Sequence, residues 1–259
     1  MKTRITSGVV LLTFAAMFSS FAHAQGTLSE NIRIKSDVLG YDLQYRVYVP
    51  ENTKPDDRLP TLYITDGQSY AKKGRMVSAL DKGISDGTIK PVIAIFVDPR
   101  DPDKLSTNRR NEQFFCKKDY VDFFTTELVP SIDQTYNTSA RRKDRVILGV
   151  SFGGFNAGCF GLMATPYFSG IAMNSPAHSQ FVSYLKKQYG KFDKKNIKIY
   201  MSVGNHQDNR KAVRLFKSTL EEKGYDLTYS QNSRGHNWGN WEPLLPDVLK
   251  TFFAVEKED

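Results

Sequence analysis

The sequence predicts an α/β fold built on a mostly parallel, doubly wound sheet. Several short segments are β-branched and apolar at nearly every position, which is typical of strands covered by helices on both faces of a parallel sheet. Segments with helical periodicity separate some of them, and this alternation favours right-handed crossovers within one sheet. The predicted strands are residues 60–65, 92–97, 145–150, 169–174 and 197–203.

Residues 31–50, ahead of these strands, have a different pattern. Apolar and polar residues alternate on both sides of Leu39-Gly40, which is typical of an antiparallel hairpin with one face turned to solvent. We therefore expect an antiparallel hairpin at the N-terminal edge of the sheet.

Two segments have clear helical spacing of their apolar residues. The first is residues 120–136, in which Pro130 predicts a kink. The second is residues 209–224, which end at Gly224, a common helix stop signal. A further strand is expected directly after it, at residues 226–231.

The first 24 residues have the features of a signal peptide. Lys2 and Arg4 give a positive start, a short apolar run follows, and Ala22-His23-Ala24 has the form of a cleavage site. The apolar run is shorter than the about 20 residues that a bilayer requires. We expect a periplasmic or secreted protein without stable membrane insertion, with residues 25–259 forming one catalytic domain. An N-terminal membrane anchor is the alternative.

The charge balance is moderately basic, with 36 lysines and arginines against 28 acidic residues. Removal of the leader takes Lys2 and Arg4 with it, so 34 basic residues against 28 acidic ones leave a net charge of +6. The basic residues occur in scattered pairs without interleaved aromatics, which argues against a nucleic-acid partner. They form either a solvated surface or a positive field that attracts an anionic substrate.

Cys116 and Cys159 are the only cysteines. An oxidising compartment would permit a disulfide between them, but their pairing depends on how closely the fold brings them together. Two cysteines without clustered histidines do not favour a zinc site. We expect neither a metal nor a cofactor.

Ser151 lies in GVSFGG, which matches the pattern G-x-S-x-G. The pattern directly follows the predicted strand 145–150 and precedes a run of small residues that suits a helix packed closely on the sheet. A sharp turn between strand and helix exposes a serine Oγ as a nucleophile, and the amide of Phe152 can then help to bind an oxyanion. The alternative is a serine that caps a helix.

A serine nucleophile requires a base, and histidine is the usual one. His236 is the last histidine in the chain, and Asp208 is the only carboxylate in the loop after the strand 197–203. This order of nucleophile, acid and histidine is the one that such folds use. We expect Asp208 to orient His236, although a surface histidine and an aspartate at a helix N-terminus are the alternatives.

A second oxyanion donor is expected from the loop after an earlier strand. Gly67 and Gln68 follow the strand 60–65, and a glycine allows the backbone to approach a substrate closely. We expect their amides to serve as donors, whereas a simple Asp-Gly turn is the alternative.

Taken together, these residues resemble the esterase D and enterochelin esterase-like family of α/β-hydrolases. The resemblance extends over residues 31–253 and rests on LYITDGQ, NRRNEQFF, ELVPSID, GVSFGGFNAG and RGHNWGNW. It implies an α/β-hydrolase fold and a serine carboxylic-ester hydrolase that acts on a small-molecule ester through an acyl-enzyme.

The resemblance also implies residues that bind the substrate. Arg109 and Glu112 match the R-x-x-E pair of the siderophore-esterase branch, although an ordinary surface ion pair is the alternative. Trp238 and Trp241 match the aromatic residues after the family's histidine, and they either wall the pocket or pack the last helix. Asp208 departs from the family pattern by one position, and a Ser-His pair suffices in some relatives.

The expected substrate is a catecholate siderophore trilactone of the enterobactin type, which the resemblance and the basic surface both favour. A feruloyl or acetyl carbohydrate esterase is the alternative within the same enzyme class. An exported α/β-hydrolase-like binding protein without activity is the alternative of another class.

Overall fold

The computed structural model describes residues 25–256, so the predicted leader, residues 1–24, lies outside the described residues. Within this range one mixed sheet contains nine strands. They are β1 (Thr27–Leu28), β2 (Ile32–Ser36), β3 (Tyr41–Val49), β4 (Thr61–Thr65), β5 (Ile93–Asp98), β6 (Arg145–Val150), β7 (Gly170–Asn174), β8 (Lys198–Gly204) and β9 (Asp226–Asn232).

The strand order confirms the predicted fold class. Six strands run parallel in the order β5-β4-β6-β7-β8-β9. β3 pairs antiparallel with β5, and the expected hairpin of β2 and β3 lies at this edge, with Ser36 opposite Tyr41. The direction of winding reverses between β4 and β6. In open α/β sheets a ligand crevice forms at the carboxyl ends of the strands at such a point.

Helices cover both faces of the sheet. The α-helices are α1 (Gly67–Lys72), α2 (Met76–Ser85), α3 (Arg110–Gln113), α4 (Lys118–Asp122), α5 (Val129–Thr135), α6 (Phe152–Met163), α7 (Ser179–Lys191), α8 (Arg210–Glu222), α9 (Trp238–Trp241) and α10 (Leu245–Phe253). Short 3-10 turns lie at Arg142–Asp144 and Glu242–Leu244.

The core has two layers because successive strand residues point to opposite faces. Tyr63 and Ile147 pack on the face that carries α6, α7 and α8. Ile64 and Leu148 pack on the face that carries α1, α2 and α10. All four side chains are fully buried, so both faces of the central strands are apolar, as the sequence pattern requires.

The helix predicted around Pro130 is interrupted in a specific way. Residues 118–135 are helical throughout, but Phe123–Leu128 forms a π-helix directly before α5. Pro130 lies in the first turn of α5, where it has no amide to donate to the preceding turn. The irregularity expected at Pro130 is therefore a wider turn on its N-terminal side.

A disulfide joins Cys116 to Cys159, whose Cα atoms lie 5.1 Å apart. It ties the loop before α4 to the buried middle of α6. Among residues 25–256, no helix is both long and apolar enough to cross a membrane. The same part of the chain contains no cluster of His, Cys, Asp and Glu that could hold a metal ion.

Candidate active site

Ser151 occupies the sharp turn between β6 and α6. Its φ of 55° and ψ of −120° are a conformation that non-glycine residues rarely adopt. Such a turn requires a small neighbour, since a Cβ atom on Gly149 would lie 2.0 Å from the carbonyl oxygen of Gly153. The glycines on both sides of Ser151 thus permit a strained backbone that places the serine side chain above the end of the sheet.

Three side chains from distant parts of the chain meet at this turn. His236 Nε2 lies 2.8 Å from Ser151 Oγ, and His236 Nδ1 lies 3.0 Å from Asp208 Oδ1. Asp208 comes from the loop after β8, and His236 comes from the loop between β9 and α9. The contacts therefore allow a proton to pass from the serine hydroxyl to the imidazole while the carboxylate orients the ring.

Asp208 is held as a carboxylate by its hydrogen bonds. Its side chain is fully buried, and this burial raises its pKa, but four donors act in the opposite direction. These donors are His236, the hydroxyl of Ser175 and the backbone amides of Gly204 and Asn209. Their combined effect holds the pKa of Asp208 below its ordinary value, so the group that faces His236 stays negatively charged.

Ser175 and Trp241 contribute contacts that the sequence did not reveal. Ser175 Oγ lies 2.6 Å from Asp208 Oδ2, and Trp241 Nε1 donates to Ser175 Oγ at 2.9 Å. The ring of Trp241 also meets the ring of His236 edge to face, with centroids 5.0 Å apart. The sequence signal that could have identified Ser175 is its position directly after β7, at the same sheet edge as Ser151.

The turn expected to supply the second oxyanion donor lies across the crevice. Asp66 adopts a left-handed conformation with φ 56°, and its carbonyl accepts bonds from the amides of Ser69 and Tyr70. A Cβ atom on Gly67 would lie 2.3 Å from the backbone of Phe96, so no larger residue fits there. The amides of Gly67 and Gln68 open α1, and the first amides of a helix have no partner within it.

Ser151 lines a cleft of 240 Å³. Gln68, Trp238 and Trp241 line it together with Ser151, so the expected pocket residues of the C-terminal loop are present. Trp241 is also largely buried, with a relative exposure of 6%, and it packs in the same core layer as α10. Trp241 thus serves both of the alternatives that the sequence left open.

Arg110, rather than Arg109, lines the cleft. Arg109 lies over the ring of Tyr41 at 4.4 Å and forms ion pairs with Asp101 at 2.8 Å and Glu112 at 3.5 Å. The predicted R-x-x-E pair is therefore formed beside the cleft, with the Glu112 side chain 63% exposed. The sequence resemblance assigned substrate binding to Arg109, but the structure places its neighbour Arg110 in the cleft wall. Two adjacent arginines could not be distinguished from the sequence, because their surroundings differ only in the folded protein.

Arg110 forms a bidentate ion pair with Asp66. Its Nη2 donates to Asp66 Oδ2 at 2.8 Å, and its Nε lies 2.8 Å from Oδ1. Burial raises the pKa of Asp66 to about 6, an effect that Arg110 reduces. The pair places one guanidinium group in the wall of the cleft.

Comparisons with known proteins identify the family. The family model described as "Putative esterase" matches residues 36–252. The uncharacterized protein YjcH of Bacillus subtilis (strain 168) is 27% identical over 238 residues, which cover 88% of this chain and 98% of that protein. An endo-1,4-beta-xylanase/feruloyl esterase of Xylanibacter ruminicola is 23% identical over 205 residues, which cover 76% of this chain and 27% of that protein.

Solved structures share the fold. A ferulic acid esterase superposes with a TM-score of 0.72 at 18% identity, covering 88% of this chain and 98% of the other. The enterobactin esterase FES from Shigella flexneri, in the presence of enterobactin, superposes with a TM-score of 0.74 at 20% identity, covering 86% of this chain and 58% of the other. Because the family model matches well over half of the sequence, the chain belongs to this esterase family of α/β-hydrolases and is a carboxylic ester hydrolase.

Proposed function

We propose that this hydrolase acts through an acyl-enzyme on Ser151. One observation carries the proposal: His236 Nε2 lies within hydrogen-bond distance of Ser151 Oγ while His236 Nδ1 faces the buried carboxylate of Asp208. A hydroxyl and an imidazole in this relation are the parts that nucleophilic ester hydrolysis requires.

These positions support the following reaction. Ser151 Oγ attacks the ester carbonyl while His236 takes the proton of the serine hydroxyl. Asp208 stabilises the imidazolium that results. The amides of Phe152 and of the Gly67-Gln68 turn bind the oxyanion. His236 then protonates the departing alcohol as its C–O bond breaks. In the second half, His236 takes a proton from water as the water oxygen attacks the acyl carbon. His236 then returns the proton to Ser151 Oγ as the bond between Oγ and the acyl carbon breaks, which releases the acid and restores the free enzyme.

A fluorophosphonate probe tests this proposal directly. The wild-type enzyme should be modified at Ser151 and lose its esterase activity, whereas Ser151→Ala should be unlabelled and should have lost nearly all turnover. Ser179→Ala, at an exposed serine that begins α7, is the matched control and should be labelled like the wild type. A folded wild-type protein that is neither labelled nor active would instead be a binding protein with this fold.

For the substrate, we propose a catecholate siderophore trilactone of the enterobactin type. The proposal is supported by the sequence resemblance and by the arginine in the wall of the cleft. A feruloyl or acetyl carbohydrate ester is the second candidate, which the relative with feruloyl esterase in its name favours. Purified enterobactin, ethyl ferulate and acetylated xylan should be compared by kcat/KM. Absence of any preference for the trilactone would remove the siderophore assignment.

We also propose that the enzyme is exported to the periplasm or the medium. The features of residues 1–24 support export, and a disulfide between Cys116 and Cys159 is compatible with an oxidising compartment. N-terminal sequencing of the protein recovered from cell fractions should give a chain that begins at Gln25. Recovery of the uncleaved chain from the cytoplasm would contradict the proposal.

A further inference from the structure

A second cavity adjoins the cleft that contains Ser151. It measures 390 Å³ and lies between α1 and the carboxyl end of β5. Gln68 lines both the cleft and this cavity, so the two spaces share this residue as part of their walls. A substrate that extends past Gln68 from the ester bound at Ser151 would enter the second cavity.

The second cavity carries an excess of positive charge. Arg46, Lys72 and Arg100 line it together with one acid, Asp98. Arg100 is neutralised locally, since its Nη2 lies 2.6 Å from Asp98 Oδ2. Within residues 25–256, Arg46 and Lys72 take part in no ion pair, and the Nε of Arg46 donates to the carbonyl oxygen of Ser29. Two positive charges are therefore left for a ligand.

Gln68 adds an unused acceptor at the boundary between the two spaces. Its Oε1 is buried and has no hydrogen-bond donor among the described residues. A buried acceptor without a donor is unfavourable. A hydroxyl or amide of a substrate lying across Gln68 would supply the missing donor.

We propose that this cavity is a subsite for a negatively charged substituent of the ester. Arg46 offers a planar guanidinium that can bind a carboxylate through two parallel bonds, and the exposed side chain of Lys72 adds an ammonium group. The positive field also raises the local concentration of anionic substrates. The inference rests on the proposed function, because it assigns the substrate class of the same Ser151 site. The proposed substrate class is an ester that carries an anionic group. A neutral ester would occupy only the cleft at Ser151 and leave the second cavity empty.

Two pairs of matched esters test the proposal. In one pair the charge lies in the alcohol part: 4-acetoxybenzoate is compared with neutral 4-acetoxybenzamide. In the other it lies in the acyl part: the 4-nitrophenyl monoester of adipic acid is compared with 4-nitrophenyl hexanoate. For each pair the measured quantity is the charged-to-neutral ratio of kcat/KM at 150 mM salt. We expect the wild-type ratio to exceed one in at least one pair, which also shows which part of the ester enters the subsite.

Variants at the two cations should lower that ratio. Lys72→Gln should reduce it about three-fold and Arg46→Gln about ten-fold, whereas Arg46→Lys, which keeps the charge, should retain most of it. Lys73→Gln is the matched control, because it removes the same charge from the next residue, which does not line the cavity. An equal effect of Lys73→Gln would indicate only a long-range field and would overturn the subsite.

Failure of this inference can be told apart from failure of the proposed function. If neutral esters are hydrolysed in a Ser151-dependent manner but the charged-to-neutral ratio is unchanged in the Arg46 and Lys72 variants, the subsite is wrong and the serine mechanism stands. If Ser151→Ala still hydrolyses the neutral esters, the proposed function itself is wrong. Thermal denaturation of each variant should match the wild type before the ratios are compared.

Discussion

Ser175 Oγ donates a 2.6 Å hydrogen bond to Asp208 Oδ2, the carboxylate oxygen that does not contact His236. Ser175 is itself fixed, because Trp241 Nε1 donates to its hydroxyl and its amide donates to the carbonyl oxygen of Ser202. A carboxylate held on both oxygens cannot rotate away from the imidazole. We therefore predict that Ser175 is a positioning residue that acts on His236 through Asp208.

The first prediction concerns this contact. Ser175→Ala removes one donor from a buried carboxylate, and a hydrogen bond to a charged group contributes about 1.5–3 kcal/mol. We expect kcat to fall about 10-fold to 100-fold with little change in KM, since the loss affects orientation of the base rather than substrate binding. Steady-state kinetics on a neutral ester provide the measurement.

Ser202→Ala is the matched control for that prediction. Ser202 is equally buried but donates to Asn174 Oδ1 rather than to Asp208. Its kcat should therefore stay close to that of the wild type. In Trp241→Phe the ring against His236 is kept while the donor to Ser175 is lost, and kcat should fall in the same direction as in Ser175→Ala. Equal kinetics for Ser175→Ala and Ser202→Ala would contradict the positioning role.

The second prediction concerns the pH dependence of stability. Burial raises the pKa of Asp66 from 3.8 to about 6, so between these values the folded protein binds this proton more tightly than the unfolded chain does. The stabilisation from proton binding is therefore complete below pH 3.8 and is lost as the pH rises through about 6. Asp66→Asn does not titrate. Its free energy of unfolding should fall less than that of the wild type over this range, by about 3 kcal/mol.

Urea denaturation at several pH values between about 4 and 7 measures this difference. As the pH rises across the interval, the free energy of unfolding of the wild type should fall progressively relative to that of Asp66→Asn, because only the wild type carries the titrating group. Two parallel stability curves would mean that Asp66 titrates at its ordinary value in the folded protein.

The third prediction concerns the turn at Gly67 and Gln68, whose amides we propose to bind the oxyanion. Gly67→Ala would place a methyl group 2.3 Å from the backbone of Phe96, which cannot move without disturbing β5. Overpacking of this kind costs about 1–3 kcal/mol and occasionally more. Gly190→Ala, within α7, is the control, since its new methyl group would lie 3.4 Å from the side chain of Thr219 in α8. It should be neutral or stabilise by up to about 1 kcal/mol. Chemical denaturation of both variants checks the contrast.

The fourth prediction concerns the disulfide. Cys116 and Cys159 are separated by 43 residues, and closing a loop of that length stabilises the folded state by about 4 kcal/mol in the chain-entropy model. Reduction, or the double variant Cys116→Ala and Cys159→Ala, should lower Tm by roughly 10 °C. A reductant should have no effect on the Tm of the double variant. An unchanged Tm on full reduction of the wild type would contradict this account.

Much of the fold could be predicted because its signals are local. The segments 145–150 and 197–203 were recognised as strands from apolar residues on both faces, and they are the observed β6 and β8 within one residue. The segment 209–224 contains the observed α8, and Gly224 adopts a left-handed φ of 71° just after it. The sequence predicted an irregularity at Pro130, but not that it takes the form of a π-helix over Phe123–Leu128.

The candidate site divides in the same way. Ser151, His236 and Asp208 could be proposed because each lies in a loop directly after a strand, where the fold class places functional side chains. Ser175 occupies such a position as well, but a serine there has no distinctive chemistry until the Asp208 carboxylate is seen 2.6 Å away. Arg109 and Arg110 are neighbours in sequence, and only packing on Tyr41 or pairing with Asp66 separates their surroundings.

By itself, the sequence determined the α/β class and the strand–turn–helix arrangement around Ser151, because hydrophobic periodicity and glycine spacing act over a few neighbouring residues. The tertiary structure alone decided which arginine lines the cleft, that Cys116 meets Cys159, and that Gln68 lines two cavities. Those relations join side chains far apart in the chain. They depend on the distances that strand order and helix packing impose, which no local pattern contains.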